Sequence, residues 1–406
     1  MSAIEQRLRS FGPTTLLALA LVVVGFFYPQ YVESLADNLP LIGDFIPSLS
    51  SMVIMIVFTM MAVGLNIVVG YAGLLDLGYV AFYAAGAYTS AWFASQQFDQ
   101  WTFHFGSVGI SKELPGIHLS IWLVLVIAGL FTAMAGILIG LPTLRLRGDY
   151  LAIVTLGFGE IIPQVVRNGD NVFGFDLTHG TFGISPIDSP GFGSVGDSLG
   201  LPLSYQQSFN RAQWFYWTAL ALLLITVFCS VRLRDSRLGR AWIAIREDET
   251  AAAAMGVPLM RTKTWSYAIG AFFGGVAGAF YASFKSGAFP ADFYFNISVF
   301  LLCMVILGGM GSIWGVILGG MILGYLNVEG LATLGSELNE AGIDFDPTKY
   351  QFGFYGVIIV LMMLFRPEGL IPERRHKREL ELGVADTPLY DVTAEGADAD
   401  RDPSND

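Results

Sequence analysis

Long apolar runs separated by shorter polar segments dominate the pattern of this chain. A helix that crosses about 30 Å of hydrocarbon needs roughly 20 apolar residues, and several of the runs that reach this length are interrupted by glycine. The pattern predicts an all-α membrane protein, a polytopic helical bundle of roughly ten transmembrane spans with glycine-broken helices. The predicted spans cover residues 13–29, 50–70, 78–96, 119–141, 150–166, 213–231, 264–284, 294–309, 311–330 and 351–366.

Composition and charge placement agree with this pattern. Hydrophobic residues make up 54% of the 406 residues and charged residues 14%, whereas a soluble domain carries about 25% charged residues. Of the 22 lysines and arginines, seventeen fall in segments on one side of the predicted spans and five on the other side. Because the side richer in cations is normally cytoplasmic, we expect a multi-pass protein of the cell membrane with both termini in the cytoplasm.

Several functional classes are disfavoured by what the sequence lacks. The net charge of −12 comes without a basic stripe, which argues against a nucleic-acid partner. The cysteines, Cys229 and Cys303, lie in separate apolar runs and the four histidines are scattered, so we expect no disulfide framework and no metal site. Motifs for phosphate loops, dinucleotide binding and hydrolysis are absent. We therefore expect a non-enzyme without a cofactor of its own, and any active transport would draw on an ion gradient or a separate ATPase.

One charged segment, Ser236 to Val257 (SRLGRAWIAIREDETAAAAMGV), lies between two predicted spans within the loop 233–262. Its alanine run and closing glycine favour a short helix with a left-handed stop. Four residues fall near one face at helical spacing: Ala241, Ile245, Ala252 and Met255. Such an amphipathic helix on the cytoplasmic side would dock a soluble partner, and an ordinary solvated loop is the alternative. The residues predicted to dock are Arg237, Arg240, Arg246, Glu247, Asp248, Glu249, Ala252 and Gly256.

Acidic residues inside apolar runs mark a candidate transport path. Asp76 follows a glycine-rich stretch, and irregular backbone at membrane depth is tolerated only inside protein or beside a water-filled cavity. An acid at that depth is a functional candidate. The alternative is that Asp76 caps a helix at the membrane surface. Glu160 precedes the helix-breaking Pro163, so we expect it in the bundle interior or on an aqueous path, with an ion pair to Arg167 as the alternative. The path candidates are Asp76, Tyr79, Thr155 and Glu160.

The remaining segments complete the predicted organisation. The polar stretch 168–212 is expected to be an extracytoplasmic loop where a partner or solute arrives. Glycine-rich breaks near residues 73 and 311 hint at an internal inverted repeat, as in many transporters. A permease domain of 1–372 would be followed by a cytoplasmic tail, 373–406, which is basic and then acidic, suits membrane lipids at its start, and is expected to be disordered. The first run could be a signal peptide, although an uncleaved anchor is the preferred interpretation.

Five stretches together resemble the permease subunits of branched-chain amino acid ABC transporters, specifically the larger of the two membrane subunits. They occur in the family's order and extend over most of the chain. The matching stretches are GLNIVVGYAGLLDLGYVAFYAAGAYTSA (64–91), LPTLRLRGDYLAIVTLGFGEII (141–162), LTHGTFGI (177–184), SRLGRAWIAIREDETAAAAMGV (236–257) and GGMGSIWGVILGG (308–320).

The resemblance implies an importer with a second permease subunit, two ABC ATPase subunits that bind ATP, and an extracytoplasmic solute-binding protein. In that family the stretch 236–257 is the loop that docks into the ATPase, here as a weakened EAA-type motif. Leu74, Asp76 and Tyr79 stand where many relatives carry Gln, Ser and His, and urea and short-chain amide permeases share the scaffold. Outside the family, an ion-coupled secondary transporter using Asp76 and Glu160, a membrane enzyme and a structural scaffold are the alternatives.

Overall fold

A computed structural model describes residues 22–32, 45–108, 113–146, 148–172, 174–193, 202–206 and 208–371. The predicted tail, 373–406, and most of the first predicted span lie outside the described residues. The predicted choice between an uncleaved anchor and a signal peptide therefore stays a prediction. Helices dominate the described chain. They are α1 Val22–Val32, α2 Leu49–Asn66, α3 Val80–Phe93, α4 Ile121–Thr143, α5 Asp149–Arg167, α6 Arg211–Asp235, α7 Arg237–Glu247, α8 Glu249–Ala254, α9 Leu259–Lys285, α10 Phe295–Gly308, α11 Ile313–Tyr325, α12 Leu331–Glu340 and α13 Gln351–Phe365.

Within the described residues, eight helical segments are long and apolar enough to cross a membrane. They correspond to eight of the ten predicted spans, so the predicted polytopic helical fold is confirmed. The predicted span 78–96 is wrong in length, because α3 has only 14 residues and is about 21 Å long at 1.5 Å per residue. Yet α3 is almost entirely buried, so its apolar character reflects packing inside the bundle.

Helix α9 forms the centre of the bundle and packs against α2, α3 and α4. Glycines allow the backbones to touch: a Cβ on Gly86 of α3 would lie 2.1 Å from the carbonyl oxygen of Gly275 on α9. One turn further along, a Cβ on Gly278 would lie 2.0 Å from the carbonyl oxygen of Tyr83. The glycine spacing in this part of the sequence therefore marks a helix–helix contact within the chain.

Two interruptions of regular helix meet inside the bundle. Helix α2 continues as a π-helical turn, Ile67–Tyr71, and residues 72–79 are largely non-helical before α3 begins. The second interruption separates α10 from α11, where Gly309 and Gly311 adopt positive φ values of 110° and 89°. The side-chain oxygen of Asn66 accepts a hydrogen bond from the Gly311 amide at 2.9 Å, which joins the two breaks. The predicted breaks are thus present, while the inverted repeat stays a prediction.

A small β-sheet covers one end of the bundle. Its strands are β1 Ala94–Ser95, β2 Thr102–Phe105 and β3 Gly116–Leu119, in the order β1-β3-β2, with β1 antiparallel and β2 parallel to β3. Part of the predicted loop 168–212 packs onto it, since Nδ1 of His118 lies 2.8 Å from Oδ2 of Asp188. Burial outweighs that hydrogen bond and raises the pKa of Asp188 to about 6. These strands are too short to show the two-residue alternation that would predict them.

Candidate coupling surface and transport path

The charged segment 236–257 forms two helices, so the prediction of a single helix is wrong. Helix α7 ends at Glu247, and α8 begins at Glu249, because Asp248 between them has extended backbone angles. The Asp248 carboxylate accepts hydrogen bonds from the amides of Thr250 at 2.7 Å and Ala251 at 3.0 Å. Aspartate is among the strongest N-cap residues, so it starts a new helix here. The hydrogen bonds, led by that from the Thr250 side chain, hold the pKa of Asp248 below its usual value.

Three contacts fix α7 and α8 to the bundle. The fully buried Trp242 donates its indole N–H to the carbonyl of Thr262 at 2.8 Å. The Glu249 carboxylate pairs with the buried ammonium of Lys263 at 2.9 Å. The guanidinium of Arg246 donates to the carbonyl of Gly70 at 2.5 Å. Arg246 and Glu249 are therefore engaged within the chain, and the role predicted for them in docking a partner stays a prediction.

The apolar face predicted for this segment also needs correction. Ile245 and Ala252 are buried, but Ala241 is only half-buried and Met255 is 85% exposed. Trp242 is the main anchor that sequence reasoning missed. Its position three residues before Ile245, on the same helix face, was the available signal.

An exposed surface of small residues surrounds Met255. We define the coupling surface by the residues on the outer side of α7, α8 and the turn into α9 that are exposed: Arg237, Arg240, Asp248, Thr250, Ala251, Ala253, Ala254, Met255, Gly256 and Arg261. Gly256 has a φ of 84°, which confirms the predicted left-handed stop. Alanines and one methionine with cationic neighbours give a shallow apolar patch that a partner can cover closely.

Three of the predicted path residues come together around the segment 72–79. The hydroxyl of Thr155 accepts a hydrogen bond from the Leu77 amide at 3.0 Å. The hydroxyl of Tyr79 donates to the carbonyl of Gly270 at 2.8 Å. The carboxylate of Asp76 accepts from the Gly78 amide at 2.8 Å. These bonds tie an irregular segment to α5 on one side and to α9 on the other.

Asp76 is 1% exposed, and the prediction that it caps a helix is wrong because the N-cap position of α3 is Tyr79. The hydrogen bond that Asp76 accepts closes a local turn before α3 begins. Oδ2 of Asp76 makes no hydrogen bond of standard geometry within the described residues, and Tyr267 of α9 is the polar neighbour of that carboxylate. The side-chain nitrogen of Asn66 likewise makes no hydrogen bond there. Buried polar atoms without partners are costly, and they concentrate at functional positions.

Glu160 lies on an exposed face of α5, apart from the other three path candidates. The predicted position in the bundle interior and the alternative ion pair with Arg167 are both wrong, because Glu160 is exposed and Arg167 donates to the hydroxyl of Tyr294. Its predicted position on an aqueous path stays a prediction. Thr155 lies on the buried face of the same helix. Helix α5 therefore connects the irregular segment 72–79 with an outer face that carries a carboxylate.

Comparison with known proteins identifies the family. The family model described as the branched-chain amino acid transport system / permease component matches residues 48–363. The chain belongs to this family. It is 38% identical over 343 residues to the high-affinity branched-chain amino acid transport system permease protein LivM of Escherichia coli strain K12, which covers 81% of this chain and 71% of that relative.

More distant relatives agree with this assignment. The probable branched-chain amino acid transport permease protein LivM of Methanocaldococcus jannaschii is 28% identical over 267 residues, 65% of this chain and 71% of the relative. The permease protein LivH of Salmonella typhimurium is 29% identical over 175 residues, 43% of this chain and 51% of the relative. No solved structure matches the chain.

Membership of this family confirms the predicted resemblance and makes the chain a multi-pass membrane permease. The family is a family of transport permeases and not a family of enzymes. Because its relatives include both LivM and LivH proteins, two different permeases of one family serve such transport systems, which indicates a second permease partner.

Proposed function

We propose that this chain is the larger permease subunit of an ATP-driven importer of branched-chain amino acids in the cell membrane. It forms the translocation path with a second permease, while two ABC ATPase subunits bind ATP and an extracytoplasmic solute-binding protein delivers the amino acid. The observation that carries this proposal is the 38% identity to a LivM permease over 81% of the chain. Both termini are proposed to be cytoplasmic, as the excess of cations on that side favours.

The coupling surface suits the ATPase contact because of its place in the fold. Helix α6 has 25 residues and is about 38 Å long. It begins beside the segment that packs on the β-sheet and ends where α7 starts. The coupling surface and the β-sheet therefore occupy opposite ends of a membrane-spanning helix. With the cation-rich end inside, the coupling surface faces the ATPase and the β-sheet faces the binding protein.

Helix α5 is proposed to line the translocation path at the second permease. A carboxylate on a lipid-facing helix at membrane depth is costly, and the exposed face of α5 carries Glu160 and Gln164. Ile161 and Val165 are exposed on α5 as well, whereas α13 exposes apolar residues such as Val360 and Leu364 and contains no charged residue, which suits lipid. A second permease subunit or water next to Glu160 would remove the cost of placing its carboxylate at membrane depth. Asp76, Tyr79 and Thr155 would then control the path from the buried side of α5.

A cysteine at Thr250 is expected to cross-link to the ATPase subunit in the assembled importer. Thr250 is exposed at the start of α8 on the coupling surface, so a short bifunctional thiol reagent reaches both chains. The background carries alanine at Cys229 and Cys303, and the ATPase carries cysteines in its permease-facing cleft. The product is measured as a shifted band on a denaturing gel.

The matched control is a cysteine at Phe209, which is fully exposed at the opposite end of α6. It should give no product with the ATPase. An intact, abundant complex that yields no cross-link at Thr250, or equal cross-linking at both positions, contradicts the proposed docking role.

A second candidate, an ion-coupled transporter, is favoured by one observation, the buried carboxylate of Asp76, which has Tyr267 as its polar neighbour and no basic partner among the described residues. Uptake into proteoliposomes distinguishes the two mechanisms. An ATP-driven importer needs ATP and the binding protein and is insensitive to an uncoupler. Uptake that an uncoupler abolishes without any ATP requirement supports the ion-coupled mechanism. A ligand screen of the binding protein separates branched-chain amino acids from urea and short-chain amides.

A further inference from the structure

The carbonyl of Gly70 lacks its usual helical partner. In a continuing α-helix it would accept a hydrogen bond from the amide four residues later, that of Leu74. The π-helical turn changes this pattern, since the Leu74 amide donates instead to the carbonyl of Val68 at 3.1 Å. The guanidinium of Arg246 supplies the missing donor at 2.5 Å. A residue of α7 thus completes the hydrogen bonding of the broken helix α2.

The next turn of the same segment rests directly on Arg246. Gly73 has a φ of 68°, which favours glycine. A Cβ on Gly73 would lie 2.9 Å from Cγ of Arg246 and 3.4 Å from its Cα. The contact therefore involves the backbone of α7 as well as the side chain. Together with the hydrogen bond between Arg246 and Gly70, which are 176 positions apart in the sequence, it joins α7 to the end of the broken helix.

The segment 72–79 extends from this contact into the bundle. Three residues beyond Gly73 it holds the buried Asp76, and the following amide, that of Leu77, bonds to Thr155 of α5. Gly70, whose carbonyl accepts from Arg246, lies next to the second helix break, because a Cβ on Gly70 would come within 2.6 Å of the amide nitrogen of Gly311. A displacement of Arg246 would therefore act on the first helix break at a point that touches the second.

We propose that Arg246 is the positioning residue that transmits movement of α7 and α8 to the broken helix, instead of docking the ATPase. This inference rests on the proposed function, because the movement comes from ATPase subunits seated on the coupling surface. The planar guanidinium of Arg246 fixes the orientation of the Gly70 carbonyl, and the aliphatic part of the same side chain packs on Gly73. Trp242 and Glu249 attach α7 and α8 to α9, so the Arg246 contact is a separate connection to the candidate path.

The test uses Arg246→Met in the complete importer, with both permeases, the ATPases and the binding protein in proteoliposomes. We expect co-purification of the ATPase and basal ATP hydrolysis to stay close to wild type. Uptake, and the stimulation of hydrolysis by the loaded binding protein, should fall by about tenfold or more. Arg232→Met is the matched control, since Arg232 is exposed near the end of α6 and lies over the Phe228 ring; its uptake should be normal.

Gly73→Ala disturbs the same contact from the side of the broken helix. It should likewise lower uptake while basal ATP hydrolysis stays close to wild type. Normal uptake by Arg246→Met overturns the proposal. Loss of ATPase co-purification also overturns it, because Arg246 would then belong to the docking surface. Loss of membrane abundance in both variants would assign the contact to folding and overturn it as well. If the wild-type chain binds no ATPase at all, the proposed function itself fails, which is a distinct result.

Discussion

Alanine at Gly86 is expected to lower the free energy of unfolding by about 3 kcal/mol. The added Cβ would lie 2.1 Å from the carbonyl oxygen and 2.5 Å from the Cα of Gly275. Both atoms belong to the backbone, so no side-chain rotation relieves the overlap, and α3 and α9 must separate. Because α9 is the centre of the bundle, the loss should affect the whole fold. The midpoint of unfolding in detergent measures it.

The matched control is Gly353→Ala on α13, where an added Cβ meets nothing within 4 Å. Alanine is a better helix former than glycine, so this variant should be stabilised by up to about 1 kcal/mol. The two substitutions are chemically identical and differ only in their surroundings. Equal midpoints for the two variants would contradict the close approach of α3 to α9.

Glutamine at Glu249 is expected to destabilise the chain by about 3 kcal/mol, because it leaves the ammonium of Lys263 buried without its counter-charge. The side chain of Lys263 is 5% exposed and that of Glu249 is 31% exposed, so the ammonium is the member of the pair that depends on its partner for charge compensation. Adding Lys263→Met to the same chain should recover most of the loss, since an apolar side chain of similar size tolerates burial. Thermal unfolding of the single and double variants measures the coupling.

The control for this pair is Lys349→Met. Lys349 pairs with Asp346 at 3.7 Å, but its side chain is 75% exposed. Exposed pairs contribute little, so the shift in the unfolding midpoint should be much smaller than that of Glu249→Gln. A loss at Glu249 no larger than that at Lys349, or a double variant as unstable as the single, would refute a buried ion pair between α8 and α9.

The fold could be predicted to a large extent because membrane spans depend on the length of an apolar run, which the sequence states directly. Helix α3 shows the limit of that rule. Its residues are apolar because they pack inside the bundle, and composition does not separate burial in protein from burial in lipid. The positions of the helix breaks were predictable, since glycines at 73 and 311 allow backbone conformations that other residues rarely adopt.

The candidate site was less predictable because its contacts join distant parts of the chain. Arg246 and Glu249 look like surface charges in a polar loop, and only the positions of Gly70 and Lys263 reveal that both point inward. Asp76 and Glu160 both interrupt apolar runs, yet one is buried and the other exposed. The type of a residue determines the free-energy cost of burying it. Whether its side chain is in fact buried depends on which other elements pack against it.

The side chain of Asn66 restricts how the two helix breaks can move relative to each other. A single carboxamide oxygen accepts from the Gly311 amide and lies against Gly70, where a Cβ would come within 2.0 Å of it. The two helix breaks are therefore joined by a hydrogen bond, and a rearrangement of either one must break that bond or move the other break with it. We expect the two breaks to change conformation together during transport.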